Sequence, residues 1–388
     1  MRAKSEFIGA MKFNVSKEVF DKGLGQVLNV VGSRNQDPIC NNVLIEADEG
    51  GVVRLTTTNM DIGVRCSVRA EVVAAGSITL PAKKLKELVS GLMGNEINLE
   101  LFSKTKVKLV CGSSDAVLSG IKSEMFPNLA VDESEMFFEI GQGDLLSMLR
   151  SVAYAQSTDP NRYVLNGVYF NFTGDVFAVV ATDGRRLATC EYRMPGADGV
   201  NGKAKSFILP SKTVAELIKQ LGANGKLRIG VSEKQVTFDI DVEGRSESGF
   251  CENVKIVSKV IEGNFPQYKQ VIPKDPGKVM EVEREVFLRS VEFASKVTTD
   301  KYNSVYLTLV PNMLEVSANG GENEAKNRIA VQYNGPEIKI AFNPQFLRDP
   351  LGALVQDIVV FEFKDELSPG VLKTKNSCFL CVIMPQRK

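Results

Sequence analysis

The sequence predicts an α+β fold made of three tandem copies of one repeat, each with two helices packed on antiparallel sheets. Three observations predict this fold. An amphipathic helix opens each repeat, a strand ending in a polar turn follows, and a second helix comes after a strand that ends near a proline. The chain has 388 residues, of which 44% are apolar, enough for each repeat to bury its own core.

The opening helix of each repeat shows apolar residues at helical spacing. Because these residues fall on one face of a helix, each helix is expected to pack on a sheet. The apolar sets are Val19, Phe20, Leu24, Val27 and Val31 in the first repeat, Leu145, Leu146, Leu149 and Ala153 in the second, and Val286, Phe287, Val291 and Ala294 in the third.

The polar turn comes next in each repeat. Asparagine, aspartate and glycine are ordinary turn residues, and the apolar residues before them alternate as in a strand. About eight such strands are expected in each repeat. The three turns are Thr58-Asn59-Met60-Asp61, Thr182-Asp183-Gly184 and Ala318-Asn319-Gly320.

The second helix gives the repeat its fixed period. Leu80-Pro81 and Leu209-Pro210 lie 129 residues apart, and the apolar helical residues after Pro81 recur at the same interval. A weaker third copy runs from Ile338 to Leu351, with Phe342 equivalent to Leu80 and Leu209. Repeats one and two also close alike, with Phe126-Pro127-Asn128-Leu129 and Phe265-Pro266-Gln267-Tyr268. This period is too long for a solenoid, so the sequence predicts duplicated domains at 11–131, 135–270 and 271–388, after an N-terminal extension of residues 1–10.

Composition excludes several kinds of chemistry. The chain has no histidine, which removes histidine bases, histidine-activated nucleophiles and histidine metal ligands. No phosphate-binding glycine loop is present. Cys378 and Cys381 form a lone C-x-x-C in a strand pattern, where core packing is favoured over a zinc site. A binding protein is therefore favoured over an enzyme, with no cofactor and no metal.

Charge and hydropathy place the chain among ordinary soluble proteins. It has 47 basic and 47 acidic residues, which argues against indiscriminate binding to polyanions. No apolar run is long enough to span a bilayer, and the N-terminus lacks an apolar signal core. A cytoplasmic location is expected.

Four motifs, in this order and at domain spacing, carry a resemblance to a known family. They are Arg162-Tyr163-Val164-Leu165-Asn166-Gly167, Ala181-Thr182-Asp183-Gly184-Arg185-Arg186-Leu187-Ala188, Ile261-Glu262-Gly263-Asn264-Phe265-Pro266 and Val382-Ile383-Met384-Pro385-Gln386-Arg387. From Met11 to the C-terminus the chain resembles the beta subunit of bacterial DNA polymerase III, the beta sliding clamp. The resemblance implies three copies of the DNA-clamp (processivity) fold and a head-to-tail homodimer whose six domains close a ring around duplex DNA, without sequence specificity. It also implies partners: the DNA polymerase III catalytic subunit, the clamp loader and other proteins with a clamp-binding motif.

The resemblance further implies three sets of site residues. Partner peptides with apolar anchors would enter a pocket formed by Leu165, Thr182, Gly184, Arg186, Leu187, Pro266, Val271, Asn343, Phe346, Leu367, Val382, Ile383, Met384, Pro385 and Arg387. Contacts to DNA would come from Arg34, Lys84, Arg150, Arg162, Tyr163 and Lys212. The dimer interface would include Leu88, Leu92, Leu118 and Val297.

The sequence departs from the family pattern at a few positions. Asp159 stands where an uncharged polar residue is common. Gln270 replaces a frequent arginine, Gln386 a frequent methionine and Lys388 a frequent terminal leucine, so a more polar pocket rim is expected.

Two other functions remain open from the residues alone. A carboxylate-dependent hydrolase or transferase would need a concentrated acidic cluster in one repeat, and no such cluster stands out. A scaffold of duplicated domains that never touches DNA would be favoured by neutral helix faces. The predicted helices carry twelve basic residues against eight acidic ones, a modest excess.

Overall fold

The computed structural model describes residues 11–32, 37–127, 136–194, 205–242, 245–275, 277–375 and 378–386. The predicted extension at residues 1–10 and the predicted site residues Arg34 and Arg387 lie outside these ranges, as does Lys388. None of the helices in the described part of the chain is long and apolar enough to span a membrane.

The described residues form seven helices, and each repeat contributes the predicted pair. They are α1 (Lys17–Val27), α2 (Ala82–Gly91), α3 (Gln142–Val152), α4 (Ser211–Gln220), the single turn α5 (Arg245–Ser248), α6 (Arg284–Ser295) and α7 (Pro344–Ala353).

Twenty-five strands lie in the same ranges. The first repeat holds β1 (Lys12–Ser16), β2 (Asn42–Ala47), β3 (Val52–Thr58), β4 (Ile62–Arg69), β5 (Glu71–Ala74), β6 (Gly76–Pro81), β7 (Glu96–Leu101), β8 (Lys106–Cys111) and β9 (Ser114–Ser119). The second holds β10 (Met136–Gly141), β11 (Gly167–Thr173), β12 (Val176–Thr182), β13 (Arg186–Arg193), β14 (Lys205–Pro210), β15 (Lys226–Val231), β16 (Gln235–Ile240) and β17 (Val254–Lys259). The third holds β18 (Lys278–Glu283), β19 (Val305–Val310), β20 (Met313–Asn319), β21 (Glu324–Ala330), β22 (Ile338–Phe342), β23 (Ile358–Phe363), β24 (Gly370–Thr374) and β25 (Phe379–Ile383).

The chain divides into two compact units, and each contains one eight-stranded sheet. Residues 1–145 with 215–260 form the first unit, and residues 146–214 with 261–388 form the second. The sheet of the first unit has the order β10-β15-β16-β17-β4-β3-β2-β6, and that of the second β14-β11-β12-β13-β25-β24-β23-β18. Every pairing within them is antiparallel. Each of these sheets joins four strands of one repeat to four of the next, so the compact units and the repeats have different boundaries.

Each compact unit also holds a smaller antiparallel sheet. The first unit has the five-stranded order β5-β1-β7-β8-β9, and the second has the four-stranded order β21-β20-β19-β22. The strands β9 and β21 are therefore edge strands, each paired on one side only within the described structure.

The opening helices pack as their apolar spacing predicts. In α1 the buried residues are Phe20, Gly23, Leu24 and Val27. A Cβ atom on Gly23 would lie 2.9 Å from Val68 Cγ1, so a larger side chain would push the helix off its sheet. The helix ends at Val27 and a 3₁₀ turn follows, so Val31 is buried beyond the helix rather than within it.

The three polar turns are structurally equivalent. The backbone N–H groups of Asn59, Asp183 and Gly320 each donate to the carbonyl oxygen three residues later, at 3.1, 3.4 and 2.9 Å. The strands that flank each turn are antiparallel neighbours, β3 with β4, β12 with β13 and β20 with β21. The repeat seen in the sequence is thus a repeat of backbone geometry.

The two cysteines of the C-x-x-C motif lie in different environments. Cys381 is buried in β25, whereas Cys378 is exposed before the strand begins, so the core-packing prediction holds for Cys381 only. Among the described residues, no three His, Cys, Asp or Glu side chains come together as a metal site.

Candidate functional site

A pocket of about 270 Å³ opens on the second compact unit. It is formed where the turn between β12 and β13 meets the end of β25 and the segment around Tyr268. Nine of the residues predicted for the partner pocket line it: Leu165, Thr182, Gly184, Arg186, Leu187, Pro266, Val271, Val382 and Met384. Three further lining residues, Arg185, Gln267 and Tyr268, were not predicted.

The other predicted pocket residues that the structure describes, which leaves out Arg387, lie elsewhere in the second compact unit. Asn343 caps α7, where its Oδ1 accepts a hydrogen bond from Gln345 N at 2.9 Å. Phe346 lies on α7 beneath the guanidinium of Arg186. Ile383 is fully buried in β25, Leu367 is exposed in a turn, and Pro385 is half-buried after β25. None of them lines the pocket itself.

Side-chain hydrogen bonds hold the turn between β12 and β13 in place. Thr182 Oγ1 donates to Arg186 O at 2.7 Å and accepts from Gly184 N at 3.1 Å. Asp183 Oδ1 accepts from the N–H groups of Arg185 and Arg186, at 2.9 and 3.0 Å. Gly184 has a φ of 84°, a conformation that favours glycine. The backbone that carries Arg185 and Arg186 is therefore well fixed.

Arg186 is a buried structural cation at the base of the pocket. Its side chain is 9% exposed and forms ion pairs with Asp183 Oδ2 at 3.1 Å and with Asp349 Oδ2 at 2.6 Å. It also donates to Tyr154 O at 2.7 Å, and its guanidinium lies 4.7 Å from the centre of the Phe346 ring. Since two carboxylates more than neutralise this guanidinium, Arg186 positions the pocket wall and adds no free positive charge to the pocket.

The floor of the pocket is an aromatic and aliphatic cluster. Tyr268 packs with Val180, Leu187 and Val382, and Tyr169 and Phe265 lie against this group. The rings of Tyr169 and Phe265 stack with centroids 4.7 Å apart. Burial raises the pKa of Tyr268 above its usual value, so the side chain stays neutral at physiological pH.

The segment after β25 forms one wall. Met384 N donates to Arg185 O at 3.0 Å, and Gln386 N donates to Ala341 O at 2.8 Å. Ser304 Oγ donates to Gln386 Oε1, so the glutamine that departs from the family pattern is engaged beside the pocket and does not line it. Met384 keeps 45% of its surface exposed, and Val271 on the other side keeps 54%. Two half-exposed apolar side chains thus flank an apolar floor, an arrangement suited to apolar anchor residues.

The residues predicted to contact DNA are exposed wherever they are described. Lys84 lies on α2 and Arg150 in the last turn of α3, while Lys212 lies near the start of α4. Tyr163 is 59% exposed on the 3₁₀ helix Pro160–Leu165. Arg162 on the same helix donates to Asp183 O at 3.0 Å, and its Nε lies 3.7 Å from Asp159 Oδ2.

The residues predicted for the dimer interface are less exposed. Leu92 and Leu118 retain 7% and 8% of their surface, and Leu88 and Val297 are half-buried. The most exposed apolar residue on the edge strand β9 is Val117, at 53%, which was not predicted. Its signal was its alternation with Leu118, because neighbouring residues of a strand face opposite sides.

Three duplicated α+β domains whose sheets continue from one repeat to the next define the class of this protein, the three-domain DNA-clamp fold. The chain matches, in order, the N-terminal domain of the DNA polymerase III beta subunit over residues 11–130, the central domain over 139–267 and the C-terminal domain over 269–387.

Curated relatives and solved structures agree with these matches. The chain is 31% identical to the beta sliding clamp of Haemophilus influenzae over 385 residues, 97% of this chain and 100% of the relative. It is 30% identical to that of Escherichia coli K12 over 384 residues, again 97% and 100%. The structure of a sliding clamp from Bartonella birtlesii bound to griselimycin is similar, with a TM-score of 0.89 and 32% identity over 98% of this chain and 100% of that one. For the clamp of Bacillus subtilis the TM-score is 0.90 and the identity 26%, over 97% and 99%.

The chain therefore belongs to the DNA polymerase III beta subunit family, the bacterial beta sliding clamps. Members of this family are non-catalytic processivity factors of DNA polymerase III. Family membership excludes the carboxylate enzyme and the DNA-independent scaffold that the residues alone left open.

Proposed function

We propose that two copies of this chain close head to tail into a ring around duplex DNA, and that the pocket holds polymerase and other partners on that ring. The observation that supports the ring is the order of strands in the two compact units, which leaves β9 and β21 at the edges of their sheets. The three domains would span 11–131, 135–270 and 271–388, and the protein would act in the cytoplasm.

One pairing rule builds both eight-stranded sheets. The strand after the polar turn of one repeat pairs antiparallel with the last strand of the next repeat: β4 pairs with β17, and β13 pairs with β25. Two strands of the same kinds remain, β21 after the turn of the third repeat and β9 at the end of the first. Because β9 and β21 are both edge strands, the rule is completed when β21 of one protomer pairs with β9 of another.

The existing pairs also supply a register for this proposed interface. Ile62 lies opposite Ser258, and Arg186 lies opposite Ile383. Asn323 is equivalent to Ile62 and Arg186, and Leu118 is equivalent to Ser258 and Ile383. If Asn323 therefore lies opposite Leu118, Ala325 lies opposite Ala116 and Lys326 lies opposite Asp115.

Exposure and charge agree with this register. On β21 the buried Ala325 alternates with the exposed Lys326, and on β9 the half-buried Ala116 lies between exposed neighbours. This register places the buried Ala325 opposite the half-buried Ala116, and the exposed Lys326 opposite the exposed Asp115. Opposite charges directly across two strands favour their pairing.

In this proposal the pocket binds partner proteins and the helices contact DNA. The apolar pocket would take anchor side chains of the polymerase catalytic subunit, the clamp loader and other motif-bearing proteins. Exposed lysines and arginines on the helices would touch phosphates, contacts that hold a duplex without direct base readout and so permit sliding. The proposed set is Lys84, Arg150, Arg162 and Lys212, together with Tyr163 and with Arg34, which lies outside the described residues.

A disulfide across the proposed interface tests the ring. Two strands paired in this register bring opposite Cα atoms to about 4.5–5.5 Å, which is within disulfide range. We expect the double variant Ala116→Cys with Ala325→Cys to form covalent dimers on oxidation, measured by non-reducing electrophoresis and mass spectrometry.

Each single variant is the control for the native cysteines and should stay monomeric under denaturing conditions. A double variant that fails to crosslink, from a wild-type protein that is monomeric in solution at micromolar concentration, would overturn the ring. A dimer that fails to crosslink would overturn the register alone.

A further inference from the structure

The rim of the partner pocket carries an exposed arginine, Arg185. The twelve lining residues include two arginines and no carboxylate. Arg186 is buried between Asp183 and Asp349, so its positive charge is more than neutralised. Arg185 is exposed, and its side chain forms no ion pair with another described residue. Counted together, these two arginines and two aspartates carry no net charge, and the guanidinium of Arg185 is the exposed positive charge of the lining, beside an apolar floor.

The backbone of Arg185 is held on both sides. Its N–H donates to Asp183 Oδ1 at 2.9 Å, and its carbonyl oxygen accepts from Met384 N at 3.0 Å. The Cα atom of Arg185 is therefore held in place between Gly184 and Met384. A fixed Cα atom limits the positions that the guanidinium can reach, and this reduces the conformational entropy that the side chain loses when it binds a ligand.

We propose that Arg185 is a specificity-determining residue, which selects partner peptides carrying a carboxylate next to their apolar anchor. This inference rests on the proposed function of the pocket. An arginine donates two parallel hydrogen bonds to a carboxylate, a geometry that a lysine cannot match. An aspartate or glutamate side chain and a C-terminal carboxylate both present this group, and the test separates the two sources.

Besides Arg162, whose guanidinium donates to Asp183 O in the same turn, Lys269 is an exposed cation near the rim. It lies in the 3₁₀ helix Tyr268–Gln270, between two lining residues, but does not line the pocket itself. It would add to a diffuse attraction without fixing the carboxylate. The two cations can be separated because only Arg185 contacts the pocket.

The test uses the full-length protein and capped, fluorescein-labelled peptides with a leucine-phenylalanine anchor. The residue before the anchor is aspartate, asparagine or lysine, and a further pair of peptides ends after the anchor in a free acid or an amide. Binding is measured by fluorescence polarisation at low and high salt. We expect wild-type protein to prefer aspartate over asparagine, or acid over amide, by about three- to tenfold at low salt, because one charge-assisted pair at a partly desolvated rim is worth that much.

Three variants and one control variant identify the cation. Arg185→Gln keeps both backbone hydrogen bonds and should abolish the preference, and Arg185→Glu should reverse it in favour of the lysine peptide. Arg193→Glu is the matched control, because Arg193 is exposed at the far end of the same strand β13 and lies outside the pocket. Lys269→Glu should lower all affinities for anionic peptides slightly and leave the aspartate preference in place.

The outcomes separate the two proposals. An undiminished carboxylate preference in Arg185→Gln, a preference that follows Lys269, or no preference in wild type overturns the role of Arg185. If none of the peptides binds, and Leu187→Glu changes nothing in a pull-down of the polymerase catalytic subunit, the pocket proposal fails and this inference fails with it. Retained binding of all peptides with no carboxylate preference leaves the pocket standing and removes only the specificity.

Discussion

At the scale of single residues, Arg162 stabilises the turn beside the pocket and is also one of the residues proposed to contact DNA. Its guanidinium donates to the carbonyl of Asp183, in the turn that carries the pocket arginines, and its Nε faces Asp159 at 3.7 Å. Asp159 is the residue that stands where the family commonly has an uncharged side chain. A carboxylate this close competes with a DNA phosphate for the same cation, although both groups are about half exposed and the pair is weak.

The first prediction removes this competition. Asp159 Oδ1 caps the 3₁₀ helix by accepting from Asn161 N at 2.9 Å, and Asp159→Asn keeps that oxygen while removing the charge. We expect affinity for duplex DNA to rise about two- to threefold at low salt and the gain to vanish at high salt. Fluorescence anisotropy with a labelled duplex measures it. Asp300→Asn, an exposed aspartate on a loop of the third repeat, makes the same change in net charge, and an equal gain in that variant would contradict a specific role for Asp159.

Sequence patterns located some pocket residues and missed others for a physical reason. Thr182, Gly184, Leu187 and Met384 belong to motifs whose order and spacing resemble the family. Tyr268 was noticed only as the end of a repeated closing motif, because a tyrosine after Phe265-Pro266 has the same pattern whether it packs in a core or lines a pocket. Its contact with Leu187 and Val382 depends on the pairing of strands far apart in sequence, which local periodicity does not specify.

At the scale of elements, one hairpin turn is used three times with different side chains. In the first compact unit the turn carries Met60, at a φ of 77°, and Asp61, which pairs with Lys259 at 3.2 Å. In the second unit the equivalent positions are Gly184 and Arg185. The second turn thus has a glycine where the first has a methionine, and an arginine without an ion pair among the described residues where the first has an aspartate paired with a lysine.

The regular elements were predicted well because the repeat gives each pattern three times. All six long helices occur where the apolar spacing placed them. About eight strands were expected in each repeat. The first has nine among the described residues because β5, only four residues long, pairs beside β1. The joining of β4 to β17 and of β13 to β25 could not be deduced from any local pattern, since each pair links residues nearly two hundred positions apart.

The second prediction concerns the segment after β25. Deleting residues 384–388 removes the Met384 wall and its hydrogen bond to Arg185, while β25 itself ends at Ile383 and keeps its pairs with β13 and β24. Peptides derived from the polymerase catalytic subunit should then bind about tenfold more weakly, since the loss of a half-exposed apolar contact and of one wall costs about 1.4 kcal/mol. Calorimetry gives the affinity, and circular dichroism with a melting curve confirms the fold. Unchanged affinity in a folded, dimeric truncation would remove the segment from the binding site.

At the scale of the whole molecule, the helices offer DNA little net attraction. Several of their basic side chains are already paired within the chain: Lys22 with Glu18, Lys84 with Glu87, Lys86 with Asp21 and Arg289 with Glu285. The total charge of the protein is zero. Few phosphate contacts remain, so direct binding to DNA should be weak and strongly dependent on salt. A protein held by those contacts alone would not stay on a template.

The last prediction follows from this weakness. If the protein encircles DNA, release from a closed circle requires opening a protein interface, and that barrier does not depend on phosphate contacts. After loading onto a nicked plasmid by a clamp loader and ATP, we expect retention to survive salt concentrations that abolish binding to a linear duplex, and to disappear when the plasmid is linearised. Gel filtration of labelled protein on both templates measures it. Charge reversal at Lys84 and Arg150 should weaken direct binding about tenfold, because each lost phosphate contact costs part of the salt-dependent affinity, but should barely change retention on the circle. Dissociation that is equally fast and equally sensitive to salt on circular and linear templates would show that electrostatic contact, and not encirclement, holds the protein on DNA.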